Sequence, residues 1–424
     1  MCERAIACSL SPLRFVVFAL VSAAVAAALN AYLYRRVHAA FALSRRSRRA
    51  LLVLLVGMLA ASVVGRALGR SLPEGLARGL VAVGSSFQLA VILAVVPLLG
   101  AGALRGLVVL VRRALRRRDV APSAAAVPGA APTVSSLREG ASPPVATRRE
   151  FLSQAAVSTA VAASVGTVSY GVFVGRHDYA IEELVVRIPG LSSKLDGYTI
   201  VQLSDVHIGM YVGEDELGTA IDLVRGARPD LVVLTGDLVD HDPHLAPALT
   251  ELSARLGALA RHGVAAVAGN HDHYAGVGAV LGAARRGGAH VLDNEARVIG
   301  DARAGFVLLG VDDVFGAQVG RGPNLARAEL GAPPDLPRVL LCHNPSFFPE
   351  AAGRVALQLS GHTHGGQVNP GVRVADVLLP YGYVAGRYER GGSTLYVNRG
   401  FGTVGPPARV LARPEITRVI LVAG

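Results

Sequence analysis

The chain has 424 residues, too many for one ordinary domain, and 51% of them are hydrophobic. Together with a mean hydropathy of +0.43, this excludes a wholly water-soluble chain and points to membrane segments. The formal charge of +11 is unevenly placed: residues 1–150 carry 20 Arg and 5 acidic residues, hence +15, and the other 22 basic and 26 acidic residues give −4. Basic charge beside apolar runs marks the cytoplasmic ends of membrane helices, so no nucleic-acid partner is expected.

The first apolar run, Leu13 to Leu33, is long enough to cross a bilayer. Arg35, Arg36, Arg45, Arg46, Arg48 and Arg49 follow it. A second run, Leu51 to Gly65, is short and spans only if it extends past a snorkelling Arg66; a buried core helix is the other reading. A third covers Gly79 to Leu104, with Ser85, Ser86 and Gln88 as its polar residues. It ends before Arg112, Arg113 and Arg116 to Arg118. These three make residues 1–111 a transmembrane region. Residues 112–147, rich in Ala, Pro and Ser after the arginines, cannot bury a core and read as a linker.

Thr147-Arg148-Arg149-Glu150-Phe151-Leu152 then opens an Ala/Ser/Thr-rich apolar run to Val174. It resembles a twin-arginine export signal, although it lies far from the N-terminus and has Ser153 where a basic residue is common. The plainer reading of residues 148–176 is a fourth membrane helix. By the positive-inside rule, both arginine-rich segments are cytoplasmic and everything after Arg176 is extracytoplasmic, giving a multi-pass protein of the cell membrane.

From residue 177 onward the texture is that of a folded α/β domain. Strands are expected at Thr199–Leu203, Leu231–Leu234, Val264–Ala268, His290–Val298, Phe306–Val311, Arg338–Cys342, Val355–Leu359, Thr394–Asn398 and Thr417–Val422. Helices are expected at Gly213–Gly226, Pro247–Arg261 and Gly276–Arg286. Many strands with several helical connections argue for α/β or a helix-flanked β-sandwich. With Cys342 as its one cysteine, this part has no disulfide framework, and Cys342 in an apolar run reads as a core residue.

Five of these strands end in polar groups: Asp205 and His207, Asp237, Asn270 and His271, His343, and His362 with His364. Residues two apart on a strand share a face, so Asp205/His207 and His362/His364 are each expected to converge as a chelating arm. Gly236 lets Asp237 approach closely. Carboxylate, imidazole and amide donors suit Mn, Fe or Zn, and two ions sharing a carboxylate form a clamp for attack at a phosphoryl centre.

Asp205-Val-His207, Gly236-Asp237-Leu-Val-Asp240, Gly269-Asn270-His271-Asp272, His343 and Gly361-His362-Thr-His364 together resemble the calcineurin-like metallophosphoesterases, over Ile181 to the C-terminus. Gly365-Gly366-Gln367 and the twin-arginine-like segment resemble the bacterial membrane-attached branch. The resemblance implies two packed β-sheets flanked by helices, and two divalent metal ions. It implies Asp205, His207 and His364 on the first ion, Asn270, His343 and His362 on the second, and Asp237 as the bridge. A hydroxide between the ions would be the nucleophile. His271 would protonate the leaving oxygen, oriented by Asp240, with Asp272 as the alternative partner. His241 stands where the protein Ser/Thr phosphatases of the superfamily have Arg, which disfavours a phosphoprotein substrate. Arg387 and Arg399 are candidates for a further phosphate-binding cation.

The reading that follows is a membrane-tethered phosphoesterase acting on a phosphodiester or pyrophosphate in a phospholipid-like or cell-envelope substrate. Its alternative is a non-catalytic scaffold of the same fold. A short flexible tether after Arg176 would hold the domain against the bilayer, with Phe347, Phe348, Tyr381, Tyr383 and Tyr388 either as an interfacial rim or as ordinary core and loop packing.

Overall fold

The computed structural model describes residues 12–118, 147–379 and 382–424. Most of the expected linker lies outside them, as do Cys2, Cys8 and Tyr381. Contacts divide the chain into two compact units, one holding Leu20–Gly166 and the other Met1–Ala19 with Thr167–Gly424.

The N-terminal unit is built from long apolar helices: α1 (Pro12–Phe41), α2 (Arg45–Ala67), α3 (Glu74–Arg118) and the first part of α4 (Arg148–Phe173). Among the described residues, three helical stretches are long and apolar enough to cross a membrane: Arg45–Ala67, Gly75–Arg113 and Arg148–His177. Ser44 caps α2 by accepting from the Ser47 N–H (3.2 Å). Helix α3 runs unbroken through Pro97 and on to Arg118, so the arginines assigned to the linker are helical. Leu33, Leu55, Val91, Val95, Leu98 and Val157 form the shared core. Asn30 Nδ2 donates to Gln88 Oε1 at 2.7 Å, tying α1 to α3 by the kind of polar pair that joins helices in lipid. The pair Arg148–Arg149 lies in the first turn of α4, behind a capping box in which Thr147 Oγ1 accepts from Glu150 N (3.2 Å) and Glu150 Oε2 from Thr147 N (2.8 Å).

The second unit holds two six-stranded mixed sheets. The first orders β1 (Ala180–Ile188), β12 (Glu415–Ala423), β2 (Tyr198–Leu203), β3 (Leu231–Thr235), β4 (Val264–Val267) and β5 (His290–Val291). The second orders β10 (Gly386–Arg390), β11 (Ser393–Val397), β9 (Leu357–Ser360), β8 (Arg338–Leu341), β7 (Phe306–Gly310) and β6 (Glu295–Ile299).

Alternation along the strands fills both layers of core. Ile200, Leu231 and Val233 face the space between the sheets, where they meet Leu308, Val339, Leu341 and Leu359. Val201, Leu203, Val232 and Leu234 face the other way, under helices α5 (Glu214–Ala227), α6 (Ala246–Gly257) and α8 (Val277–Arg286). A strand covered on both faces reads as a continuous apolar run. Cys342 is buried in a third cluster with Val307, Leu309, Leu340 and Phe347.

One expected element differs. His290–Val298 is two strands in different sheets, because the chain crosses over at Leu292 to Asn294, and Asn294 turns with φ 57°. The stretch after Gly269 forms a short helix, α7 (Asn270–Ala275).

Candidate metal centre

The loops after β2, β3 and β4 in one sheet and after β8 and β9 in the other open at one edge of the sandwich, where ligands gather in α/β sheets. Groups of donor atoms within 4.8 Å of one another fall into two main sets: Asp205, His207 and His364, and Asp237, His343 and His362. A third set, His207, Asp237 and His271, overlaps both. Asp237 links them: its Oδ2 lies 3.6 Å from His207 Nε2 and 3.3 Å from His343 Nε2. Asn270 Oδ1 joins the second set at 2.8 Å from His362 Nδ1. All seven expected ligands are therefore brought together.

The pairs do not converge by strand alternation. Asp205 and His207 lie beyond the end of β2, and His362 and His364 beyond β9. Each of the four, and Asp237 with them, has left-handed backbone: φ 51° at Asp205, 50° at His207, 50° at Asp237, 75° at His362 and 51° at His364. For a residue with a Cβ this costs about 1–2 kcal/mol, a strain typical of functional sites. A Cβ on Gly236 would lie 2.7 Å from the His343 ring, so Asp237 reaches His343 only because its neighbour has none.

The donor set fits cations. His343 Nδ1 donates to the Thr235 carbonyl at 2.8 Å, which leaves Nε2 free toward Asp237. Burial pushes His207 down to about 3, so its ring is neutral and able to ligate. Burial, and then the charge of Arg409, hold His364 well below the ordinary histidine range. His207 Nε2 and His364 Nε2 stand 3.1 Å apart, and His207 Nδ1 is buried without a hydrogen-bond partner. Buried ligand atoms that face one another with so few protons suit a shared divalent ion.

His271 lies at the rim of the cluster. Its Nδ1 is 3.3 Å from Asp240 Oδ1 and donates to the Asp240 carbonyl at 3.1 Å. Burial opposes its protonation, but the Asp240 hydrogen bond and the Asp237 charge push its pKa up to about 9. Asp240 also takes the exposed His241 ring at 2.6 Å. Asp272, the other candidate partner, is a brace: its carboxylate accepts from Leu238, Val239 and Gly269 N–H groups at 2.8–3.1 Å.

Both arginines singled out for phosphate binding are ion-paired. Arg399 pairs with Glu182 and with Glu415 (2.8 Å), and Arg387 with Glu389 (2.7 Å). Of the two readings of the aromatic residues, packing holds for Phe347 and Phe348, which are buried in the clusters of Val307, Leu309 and Leu340 and of Leu395 and Val397 respectively. Tyr383 packs edge-on against Phe348 and Tyr388 against Tyr383.

Two residues were missed. Arg409, wholly buried, donates to the carbonyls of His364 (3.3 Å), Arg399 (2.6 Å), Gly400 (3.1 Å) and Gly402. Its guanidinium also stands 3.1 Å from His364 Nδ1, behind the ring and away from Nε2. A single sequence carries no signal for such a residue. Tyr274 crosses the His271 ring at 5.3 Å and bonds the Asn270 side chain; its place one helical turn after His271 was the available clue.

With this geometry in hand, the comparisons are decisive. A family model described as calcineurin-like phosphoesterase matches residues 198–366. The metallophosphoesterase YkuE of Bacillus subtilis is 31% identical over 283 residues, covering 64% of this chain and 96% of its own. The chain belongs to the calcineurin-like phosphoesterase family. A metallophosphoesterase of Aquifex aeolicus is 34% identical over 52% of this chain and 84% of its own. A transmembrane protein with a metallophosphoesterase domain from Danio rerio is 31% identical over 59% of each chain. This calcineurin-like protein is thus a metal-dependent phosphoesterase, with a buried His/Asp cluster and, ahead of it, long apolar helices.

Proposed function

We propose that the chain is a membrane-tethered enzyme that uses two divalent ions, Mn, Zn or Fe, to hydrolyse a phosphodiester or pyrophosphate bond in a lipid or cell-envelope substrate. The observation that carries this reading is Asp237 Oδ2, placed between His207 and His343 so that one carboxylate serves both ligand sets. In this reading Asp205, His207 and His364 hold the first ion, and Asn270, His343 and His362 the second. The ions supply positive charge that polarises the phosphoryl group and acidifies water. His271, oriented through Nδ1 by Asp240, gives a proton from its other nitrogen to the leaving oxygen.

A singly charged diester fits better than a dianionic monoester, because Arg399 is already held by Glu182 and Glu415. The intact His271–Asp240 pair favours catalysis over a scaffold role. We assign residues 1–111 to membrane helices, 112–147 to the helical end of α3 and the linker after it, 148–176 to a fourth membrane helix of twin-arginine type, and 177–424 to an extracytoplasmic catalytic domain. The membrane places lipid headgroups and envelope precursors at high local concentration. The test is hydrolysis of lipid-bearing and water-soluble phosphodiesters by full-length protein in vesicles, with each metal in turn. Faster turnover of the lipid-bearing diester is expected. Equal rates, or preference for a soluble nucleotide, would leave the membrane as an anchor alone.

A further inference from the structure

The segment that leaves the metal centre carries large apolar side chains into solvent. After His364 the chain folds back so that Arg373 and Ala375 pack over Gly366, then forms a short helix, Ala375–Leu378. Here Val372 is 71% and Val377 85% exposed. The loop around Val410 is bound to this segment by its backbone: Val410 N donates to Gln367 O and Asn369 N to Val410 O, both at 2.9 Å. That loop turns out Leu411, 75% exposed on left-handed backbone. It also receives the last turn of α4, since Arg409 N donates to Gly171 O at 3.1 Å. From that turn Phe173 projects, 77% exposed. Three stretches remote in sequence thus present apolar side chains beside the end of a helix long and apolar enough to enter a bilayer.

Charge is not what this surface offers. Arg373 pairs with Asp376 (2.8 Å), Arg413 with Asp178 (2.8 Å) and Arg176 with Glu216 (3.5 Å). A surface of exposed valine and leucine with its cations neutralised binds through apolar area. Its continuity with α4 selects the occupant.

We infer that Val372, Val374, Val377, Leu411 and Phe173 seat the catalytic domain in the interfacial layer of the bilayer that α4 enters, with lipid rather than protein covering them. This rests on the anchored reading of α4 and deepens it. Only Gly365 to Gly371 separate His364 from the first seated residue, so seating the patch brings the metal centre against the lipid headgroups. The domain is fixed to the membrane through two points, α4 and the patch, and does not swing on a tether.

The test uses full-length protein with Cys2 and Cys8 replaced by Ser; Cys342 is buried and does not react. An environment-sensitive fluorophore is placed on V377C, on L411C or, as a control far along the chain, on L330C, whose native residue is 78% exposed. The protein is reconstituted in phosphatidylcholine vesicles holding doxyl-labelled lipid, or iodide on both faces. The expected result is blue-shifted emission at 377 and 411, quenched several-fold more by the lipid label and less by iodide than at 330. Quenching by iodide at all three positions would mean that the patch stays in water. Protection from both quenchers would mean that a second copy or another protein segment covers it. Either overturns the inference. Lipid contact without preference for a lipid-bearing diester would instead leave the docking intact and remove the proposed substrate.

Discussion

The Nε2 atoms of His207 and His364 face each other at 3.1 Å, each ring carried by a residue in left-handed conformation. Burial keeps both rings neutral, and at most one proton fits between them. A divalent ion satisfies both nitrogens, and binding to the folded state alone raises stability by about 2.7 kcal/mol at a hundredfold excess over Kd. For a domain of this size that is about 5–10 °C in Tm. Chelator-treated protein is therefore expected to melt lower and to recover on adding Mn, Zn or Fe, as scanning calorimetry can follow. An unchanged Tm would argue against an ion between these rings.

Because Asp237 Oδ2 faces a histidine of each set, Asp237→Asn is expected to lose both ions. His364→Ala is expected to weaken chiefly one. Elemental analysis of the purified variants distinguishes the two outcomes, and a single ion in active wild-type protein would remove the dinuclear arrangement.

His271 faces the cluster without belonging to either ligand set as assigned, so His271→Asn is expected to keep both ions while slowing turnover. General acid catalysis contributes about 10²–10⁴-fold, and the loss should approach this range for alkyl leaving groups. Nitrophenolate leaves with little protonation and should suffer less. Equal losses on both substrate types would assign His271 to binding.

The arginine-rich ends predict orientation. A reporter fused after Gly424 is expected outside the cytoplasm and one at Ala125 within it. With Arg148 and Arg149 both changed to Lys, failure of the domain to emerge would mark a twin-arginine route, and full emergence an ordinary membrane helix. A cytoplasmic signal from Gly424 would mean that the helices are miscounted by one.

What the sequence made legible follows from burial. Strands such as β2, β3 and β4 are covered on both faces, so they stand out as apolar runs ending in polar residues. The exposed edge strand β10, with Arg387, Glu389 and Arg390, has no such run. The ligands were legible as residue types at strand ends, but the reason they meet was not. Alternation predicted convergence for Asp205 and His207, whereas the structure uses left-handed backbone that no residue pattern announces for Asp or His. Phe347 and Phe348 follow a strand, and their position alone left rim and core open; the structure buries both. Arg409 was invisible, since a buried arginine paired with backbone carbonyls differs from a surface one only in context.

That arginine also joins the end of α4 to the metal centre. A Cβ on Gly175, just past α4, would stand 2.0 Å from the Arg409 carbonyl oxygen, while the Arg409 side chain holds His364 Nδ1 at 3.1 Å. The end of α4 is thus packed on the catalytic domain, and no flexible tether follows Arg176. Gly175→Ala must displace the Arg409 backbone, and with it the His364 ring. Partners that orient a metal ligand are worth about 10–100-fold in metal affinity, so a loss of that order is expected for one ion and little for the other. Arg409→Lys, which keeps the charge and loses the planar fork, should give the same one-sided loss. Gly166→Ala is the control: a Cβ there meets nothing within 4 Å, and alanine within a helix should be neutral or stabilising by about 0.5–1 kcal/mol. Mn titration of the full-length variants in detergent, read by bound-metal stoichiometry, separates the cases. If Gly175→Ala binds both ions as Gly166→Ala does, the anchor and the metal centre are mechanically independent, and Arg409 braces the loop without setting the ligand.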